Sequence, residues 1–271
     1  MIITHKIAWD KCLSHQLWPA IEKGWKDTPM KPIHFFWGLA GNNIKEIRQC
    51  IEKSEEWWYV DVGYLTEQIT RYPEPSIHDL DKTYFRICKG SIHTTRGKIG
   101  DGARIKDLER KGIDVEFKGW YTGETSHILL CPSSQTVTFH TNGISQEEWI
   151  TMVGEEISKY TDLPIKMRNK PRPGNEWWGK DIKEDLKDCH CLVTNMSLAA
   201  VDAIMNKVPV ICAGKNIAAP VSSRLPKYVT KPFRPGRKTI TEWLKYITEH
   251  QFTLPEIGNG LAYQILKRQY E

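Results

Sequence analysis

The sequence predicts an α/β protein made of two successive parallel-sheet units, and three observations carry the prediction. Short apolar runs alternate with helical periods along most of the chain. Polar or small residues recur just after the apolar runs. The regular pattern lapses over residues 64–125 and restarts at His127. Alternating strand and helix signals favour parallel sheets covered by helices. The lapse places a boundary near residues 120–127 (GWYTGETSH), giving units of 1–124 and 125–271, each Rossmann-like, facing a cleft and followed by helices at the C-terminus.

In order along the chain, residues 33–37 (IHFFW) read as a strand, GLAGNN as a turn, 43–53 as an amphipathic helix and 57–62 (WWYVDV) as the next strand. Residues 64–125 are rich in Lys, Arg, Gly and Asp with aromatic residues interleaved, and carry no clear period. Beyond the boundary, ILLCP (128–132) is a strand followed by a polar SSQ, and 145–160 has helical spacing. PIKMR (164–168) is a strand, 180–188 a short helix, 190–194 a strand, 197–206 a helix and 208–212 a strand. Helical stretches at 238–249 and 254–268 complete the chain.

Composition narrows the class. A chain of 271 residues with 40% hydrophobic and 26% charged residues can bury a substantial core. Its formal charge of +5 permits an anionic partner without demanding one. The start of the chain lacks the apolar core of a signal peptide and no stretch reaches the length of a membrane span, so a cytoplasmic protein is expected. Seven cysteines scattered through strands and helices fit a reducing compartment. Cys189, His190 and Cys191 are consecutive on a strand and so alternate in direction, with no second pair at zinc spacing; no metal is expected. Of eleven tryptophans, Trp57 and Trp58 read as core, whereas Trp177 and Trp178 follow a Pro/Gly-rich loop.

Candidate functional residues cluster after the strands, where parallel sheets bind ligands. In the stretch CHCLVTNMSLAAVDAIMNKVPVIC, Asn195, Ser197, Leu198 and Ala199 stand at the head of a helix. Short polar side chains and backbone N–H groups there suit a phosphate, although a plain N-cap would use the same residues. Asp202, further along, could reach a ribose hydroxyl. Arg168 and Lys170 flank Asn169 at a strand end and could clamp a diphosphate; a solvated basic edge is the alternative. Ser133 and Ser134 add hydroxyl donors.

The run HILLCPSS … PIKMRNK … DLKDCHCLVTNMSLAAVDAIMNKVPVIC resembles the donor domain of GT-B-type glycosyltransferases. In that family a strand, a loop of small and hydroxylated residues and a helix are followed by a G-x-P-V strand. Here Lys207-Val208-Pro209-Val210 takes the latter place, with Lys207 where Gly is usual, and Asp202 stands where many members carry a ribose-binding Glu. The segments FFWGLAGNN, WWYVDVGYL and QFTLPEIGNGLAYQIL resemble phage-encoded proteins of similar length. The resemblance implies a GT-B-like fold, a nucleotide-sugar co-substrate (UDP-linked), no metal and no further cofactor. It also implies a general base in the first domain, for which Asp61 is the first candidate and His93 and Asp101 are rivals.

Two acceptors follow. Region 82–121 interleaves Lys82, Arg86, Lys89, Arg96, Lys98, Arg104, Lys106, Arg110, Lys111 and Lys118 with Tyr84, Phe85, Trp120 and Tyr121. Cations among aromatic rings suit a phosphate backbone and a displaced base. Phage DNA glucosyltransferases of GT-B fold are the precedent for such an acceptor, and by analogy the resemblance implies double-stranded DNA carrying a hydroxymethylated pyrimidine, modified in the host cytoplasm, with Gly41, Asn42, Arg96, Lys98 and Arg104 on the acceptor side. Interspersed acids make a solvated mixed surface the alternative, and a cell-envelope glycan or small molecule the other acceptor. A non-catalytic nucleotide-binding protein is the third reading.

Overall fold

A computed structural model of the chain describes residues 1–5, 13–26, 31–66, 79–94 and 97–271. It divides into two compact units: unit 1 comprises Met1–Val115 and Leu244–Glu271, and unit 2 comprises Glu116–Trp243. The division expected at 124/125 thus falls at 115/116, and the C-terminal segment returns to unit 1 instead of extending unit 2. The physical reason lies in the tail's own apolar residues, which complete the core of unit 1.

Unit 1 opens with β1 (Ile2–His5) and α1 (Ser14–Gly24), followed by β2 (Ile33–Trp37), α2 (Asn43–Glu52) and β3 (Glu56–Val62). β1, β2 and β3 are parallel neighbours. The sequence reading of β2, α2 and β3 holds; β1 and α1 carry weaker signals, since Pro19 interrupts α1 and removes a backbone donor. Packing sustains that helix: Leu17 and Ile21 are fully buried and Trp18 nearly so.

The lapse in the pattern contains β4 (Tyr84–Lys89) and α3 (Ala103–Arg110). β4 runs antiparallel to β3, so this sheet is mixed and not purely parallel. A last strand from the tail, β9 (Gln251–Thr253), completes it in the order β1-β2-β3-β4-β9.

Unit 2 carries β5 (His127–Leu130), α4 (Gln135–Asn142), α5 (Gln146–Ser158), β6 (Ile165–Met167), α6 (Ile182–Leu186), β7 (Cys189–Thr194), α7 (Ala199–Met205) and β8 (Val210–Cys212). Its four strands are all parallel, in the order β6-β5-β7-β8. α5 begins with a capping box, Ser145 with Glu148. It buries Trp149, Val153 and Ile157 at helical spacing against Ile128, Leu130, Cys191, Val193 and Ile211. α4, QTVTFHTN, lies where the sequence suggested only a polar turn.

α8 (Arg237–Thr248) begins in unit 2 and ends in unit 1, and leads to β9 (Gln251–Thr253), α9 (Leu254–Gly258) and α10 (Leu261–Tyr270). β9 pairs antiparallel with β4. The expected single helix at 254–268 is broken at Gly260, which takes φ +87° as the N-cap of α10. Ile257, Ala262, Ile265 and Leu266 join Phe35, Trp58, Val60, Phe85, Ile87 and Phe252 in one core with α1. No described helix is long and apolar enough to cross a membrane.

Candidate functional site

In unit 2 the chain goes from β5 outward to β6 and then returns to the other side of β5 as β7. The change of direction leaves a switch point between β5 and β7, the place where open parallel sheets bind ligands. The loops after β5 and β7 meet there. Ser133 N donates to Asn195 Oδ1 (2.9 Å), and Met196 N donates to Ser133 Oγ (3.0 Å). Asn216, after β8, donates through Nδ2 to the carbonyls of Asn195 (3.1 Å) and Ser197 (2.9 Å). Gln146 Nε2 reaches Ser133 O (2.7 Å) and Asn169 Oδ1 (3.2 Å), adding the loop after β6.

The structure therefore brings Ser133, Ser134, Asn195, Ser197, Leu198 and Ala199 together, but gives them two kinds of task. Ser133 and Asn195 are buried, at 5% and 0% exposure, and their polar atoms hold loop to loop. Ser134, Ser197, Leu198 and Ala199 keep partial exposure. Neither α4 nor α7 has a side-chain cap at its first residue's N-cap position, Ser134 and Leu198. Ser197 Oγ does accept from Ala199 N (3.3 Å), the local turn that the plain reading of this serine expects. Two helix starts thus face the switch point with their positive dipole ends.

Arg168 departs from its expected role. It is 5% exposed, and its guanidinium pairs with the Asp185 carboxylate and donates to the Lys180 carbonyl (2.6 Å). Burial beside a carboxylate turns it inward as a brace between β6 and α6 and not as an open clamp. Lys170 is exposed. Asp202 lies near enough to Arg168 and Asp181 to feel both charges. The residue is exposed overall, yet the atoms around its carboxyl desolvate it, and with the Asp181 charge they push its pKa upward. Lys207 has φ +68°, the left-handed conformation that accounts for Gly being usual at its place in the G-x-P-V pattern.

His190 settles the Cys-His-Cys run. Its Nε2 donates to Val229 O (2.8 Å) and its Nδ1 accepts from Thr125 Oγ1 (3.2 Å), while Cys189 and Cys191 are buried core thiols.

In unit 1, Asp61 sits inside β3 opposite Arg86 of β4. Its Oδ2 accepts from Tyr59 Oη (2.8 Å) and Arg86 Nη2 (3.3 Å), and Oδ1 accepts from Val62 N (2.8 Å). A carboxylate held this way is the counter-charge of a buried arginine. His93 is fully buried, stacked on Tyr64 with ring centroids 6.0 Å apart, which shields it from a substrate hydroxyl. Asp101 Oδ1 accepts from Ala103 N (2.8 Å) at the start of α3.

The proposed acceptor residues fare unevenly. Gly41 and Asn42 are exposed on the turn after β2. The residue that holds this turn is the buried Asn43, whose Nδ2 donates to Trp37 O (3.0 Å) and Gly38 O (3.2 Å). Lys98 is exposed, and Arg96 lies outside the described residues. Arg104 is only 7% exposed and forms a two-pronged pair with Glu256 (2.5 and 3.0 Å) plus a bond to Gln251 O (2.8 Å). Its charge holds α3 to the tail and is not presented to solvent. Arg86 pairs with Asp61, Lys89 with Glu56, and Arg110 and Lys111 with Asp107. Five of the ten cations in the basic stretch thus have a carboxylate partner, two of them sharing Asp107. Two hollows on unit 1, beside α3 and between residues 98–104 and α10, are lined by both charge signs.

No protein-family model and no curated protein matches the chain. A solved structure does. The chain shares a fold with a beta Kdo transferase. One match is to "Thermosulfurimonas dismutans KpsC, beta Kdo 2,4 transferase", with a TM-score of 0.52 and 13% identity, covering 92% of this chain and 94% of that one. The structure titled beta Kdo 2,7 transferase, KpsC of the same organism, covers 97% of this chain and 99% of its own at 10% identity and a TM-score of 0.49. At 13% identity the first likeness concerns the fold.

Asn216, Gln146 and Thr138 were missed by the sequence reading. Thr138 Oγ1 and Asn142 Oδ1 both lie 3.4 Å from Asn195 Nδ2. Asn216 had a visible signal, an Asn shortly after an apolar strand; Gln146 had none, since its partners are distant in sequence.

Proposed function

We infer that the chain is a glycosyltransferase that moves a sugar from a nucleotide-sugar donor to a saccharide acceptor of the cell-envelope type. The observation that carries this reading is the pair of helix starts, α4 and α7, at the switch point of a fully parallel sheet. Such a place offers backbone N–H groups and two positive dipole ends to a phosphate. Support for the reaction class comes from the solved likeness, whose title names a transferase of the sugar acid Kdo.

In this reading the donor phosphate sits over Ser134 and the 197–199 segment, and Asp202 takes a donor hydroxyl. The acceptor oxygen bonds to the anomeric carbon as the bond from that carbon to the nucleotide phosphate breaks; the helix ends stabilise the departing phosphate, and the acceptor's proton passes to solvent. Arg168 stays behind the site and fixes the loop after β6. Asp61 and His93 take no part in proton transfer, because one is held by Arg86 and the other is buried. A DNA acceptor loses its motive: the buried cations Arg86 and Arg104 answer carboxylates of this chain.

The test places a negative charge at each helix start. Thr136→Glu in α4 and Ala199→Glu in α7 agree with the helix dipole, so both should fold. Each should repel phosphate and weaken nucleotide binding about 10-fold or more, the scale of one lost charged contact. Wild-type affinity in both variants, measured by calorimetry, would move the donor site elsewhere.

A further inference from the structure

A group of metal-ligating side chains lies in unit 1. His34 comes from β2, Cys50 from the last turn of α2, and Glu55 from the residue before β3. One ligand atom from each lies within 4.8 Å of the others. We propose that His34 Nε2, Cys50 Sγ and the Glu55 carboxylate form a binding site for a borderline divalent cation of the zinc type. The proposal is independent of the glycosyltransferase reading.

The local fold explains why these side chains meet. α2 ends in a Schellman turn: Glu55 N donates to Cys50 O (2.8 Å) and Ser54 N to Ile51 O (3.2 Å). Ser54 takes φ +55° to close it. This turn sets the side chains of Cys50 and Glu55 beside each other, where a pair of apolar residues is usual. An acid there, facing a histidine on the neighbouring strand, is a poor choice for core packing and a good one for a ligand set. Trp57 pairs with His34 in the sheet register, so the turn that leads into β3 brings Glu55 up to the start of β2.

Distances fit as well. His34 Nε2 and Glu55 Oε2 are 3.3 Å apart. Ligand atoms about 2.0–2.3 Å from a tetrahedral zinc ion stand roughly 3.3–3.7 Å from one another. Cys50 Sγ then needs to approach by about 1 Å at most, a shift within the reach of one rotatable thiol. His34 is 8% exposed and Cys50 2%, and the Nε2 of His34 has no hydrogen-bond partner among the described residues. Its nearest charged group is the Glu55 carboxylate, with which it forms an ion pair, and a cation would take this nitrogen and this carboxylate in place of the proton they share.

The other nitrogen of His34 is already oriented. Its Nδ1 lies 2.9 Å from His5 Nε2, and the His5 ring stacks on Phe36 with centroids 4.0 Å apart. With Nδ1–H donating to His5, His34 presents the lone pair of Nε2 to the site, the outer partner that ligating histidines ordinarily have. Glu55 keeps a 24% exposed side chain, so the site opens to solvent and leaves a fourth position for water. On binding, the Cys50 thiol loses its proton to solvent as the sulfur–metal bond forms. N, S and O donors together select zinc-like ions over magnesium or calcium, which take oxygen alone.

Cobalt(II) is the probe, added to the full-length protein under reducing conditions. Tetrahedral thiolate-bound cobalt gives a sulfur-to-metal charge-transfer band and strong visible bands. One equivalent should bind with both, and zinc should displace it. Cys50→Ser should abolish the charge-transfer band, while Cys189→Ser, which changes a buried thiol of unit 2, should keep it. Glu55→Gln should weaken binding at least tenfold with the band retained; His5→Phe should weaken it about 10–100-fold, the usual effect of losing an outer partner. Circular dichroism confirms that each variant is folded. No charge-transfer band in the wild type, or one that survives in folded Cys50→Ser, overturns the proposal.

Discussion

Replacing Lys207 by glycine tests the link between the G-x-P-V pattern and the backbone that demands it. α7 closes in a Schellman turn, with Val208 N donating to Ala203 O (2.9 Å) and Lys207 N to Ile204 O (3.1 Å). Lys207 is the residue that must turn left-handed, at φ +68°. Its side chain is exposed, so little packing is lost on removal, while Val208 at the next position is 2% exposed and anchors the turn. A residue with a Cβ gives up about 1–2 kcal/mol in this conformation. Glycine gives back roughly 0.5–1 kcal/mol through the greater freedom of the unfolded chain. Lys207→Gly should therefore stabilise unit 2 by about 0.5–1 kcal/mol, a rise in melting temperature of roughly 2–5 °C. Lys207→Ala keeps the Cβ and should stay within about 0.5 kcal/mol of the wild type. Urea unfolding followed by circular dichroism reads both. A glycine variant no more stable than the alanine variant would refute the reasoning, because the left-handed backbone would then carry no penalty.

Three further outcomes follow from the same packing. Arg168→Ala should destabilise unit 2 by about 2–3 kcal/mol, below the full cost of breaking a buried pair because Asp185 reaches solvent; an unchanged unfolding midpoint would show that the brace carries no load. Gly24→Ala should destabilise unit 1, since a Cβ at Gly24 would overlap the Ile257 carbonyl oxygen of α9; a loss of about 1–3 kcal/mol or more is expected, and a neutral effect would contradict the contact of α1 with the tail. Asp202 should give a pH signature. Its folded pKa is raised, so its contribution to stability is complete below the ordinary carboxylate range and is lost as pH rises towards about 6. Asp202→Asn, which mimics the protonated form, should gain stability relative to the wild type over that window and hold the gain above it. A difference that is flat with pH would remove the desolvated carboxyl.

Much of unit 2 was legible because a parallel sheet writes itself plainly: ILLCP, CHCLVT and PVIC are apolar runs with helices between them. What escaped was local or distant in sequence. α4 is composed of residues with weak helix preference, and β9 is three residues long, polar at both ends and fixed by pairing with β4. β4 was hidden by Arg86, a cation in a buried strand that only its partner Asp61 explains. The return of the tail to unit 1 depends on contacts between residues some 230 positions apart, as between Gly24 and Ile257, and no period reports such a contact. At the site, the positions of Ser134, Ser197 and Ala199 followed from the strand–helix pattern. The inward turn of Arg168 and Arg104 did not, because the sequence shows a cation but not the carboxylate that holds it.

The central claim is that the switch point of unit 2 binds a nucleotide-sugar for transfer to a saccharide. The most direct measurement incubates the protein with a panel of nucleotide sugars, carrying one or two phosphates, in the presence of saccharide acceptors or of hydroxymethylated duplex DNA. Mass spectrometry then weighs the products, with Ala199→Glu as the matched control. One donor should add the mass of its sugar to a saccharide, the DNA should stay unchanged, and Ala199→Glu should slow the transfer about 10-fold or more at low donor concentration. A sugar added to DNA, or transfer that proceeds at the wild-type rate in folded Ala199→Glu, would contradict the claim.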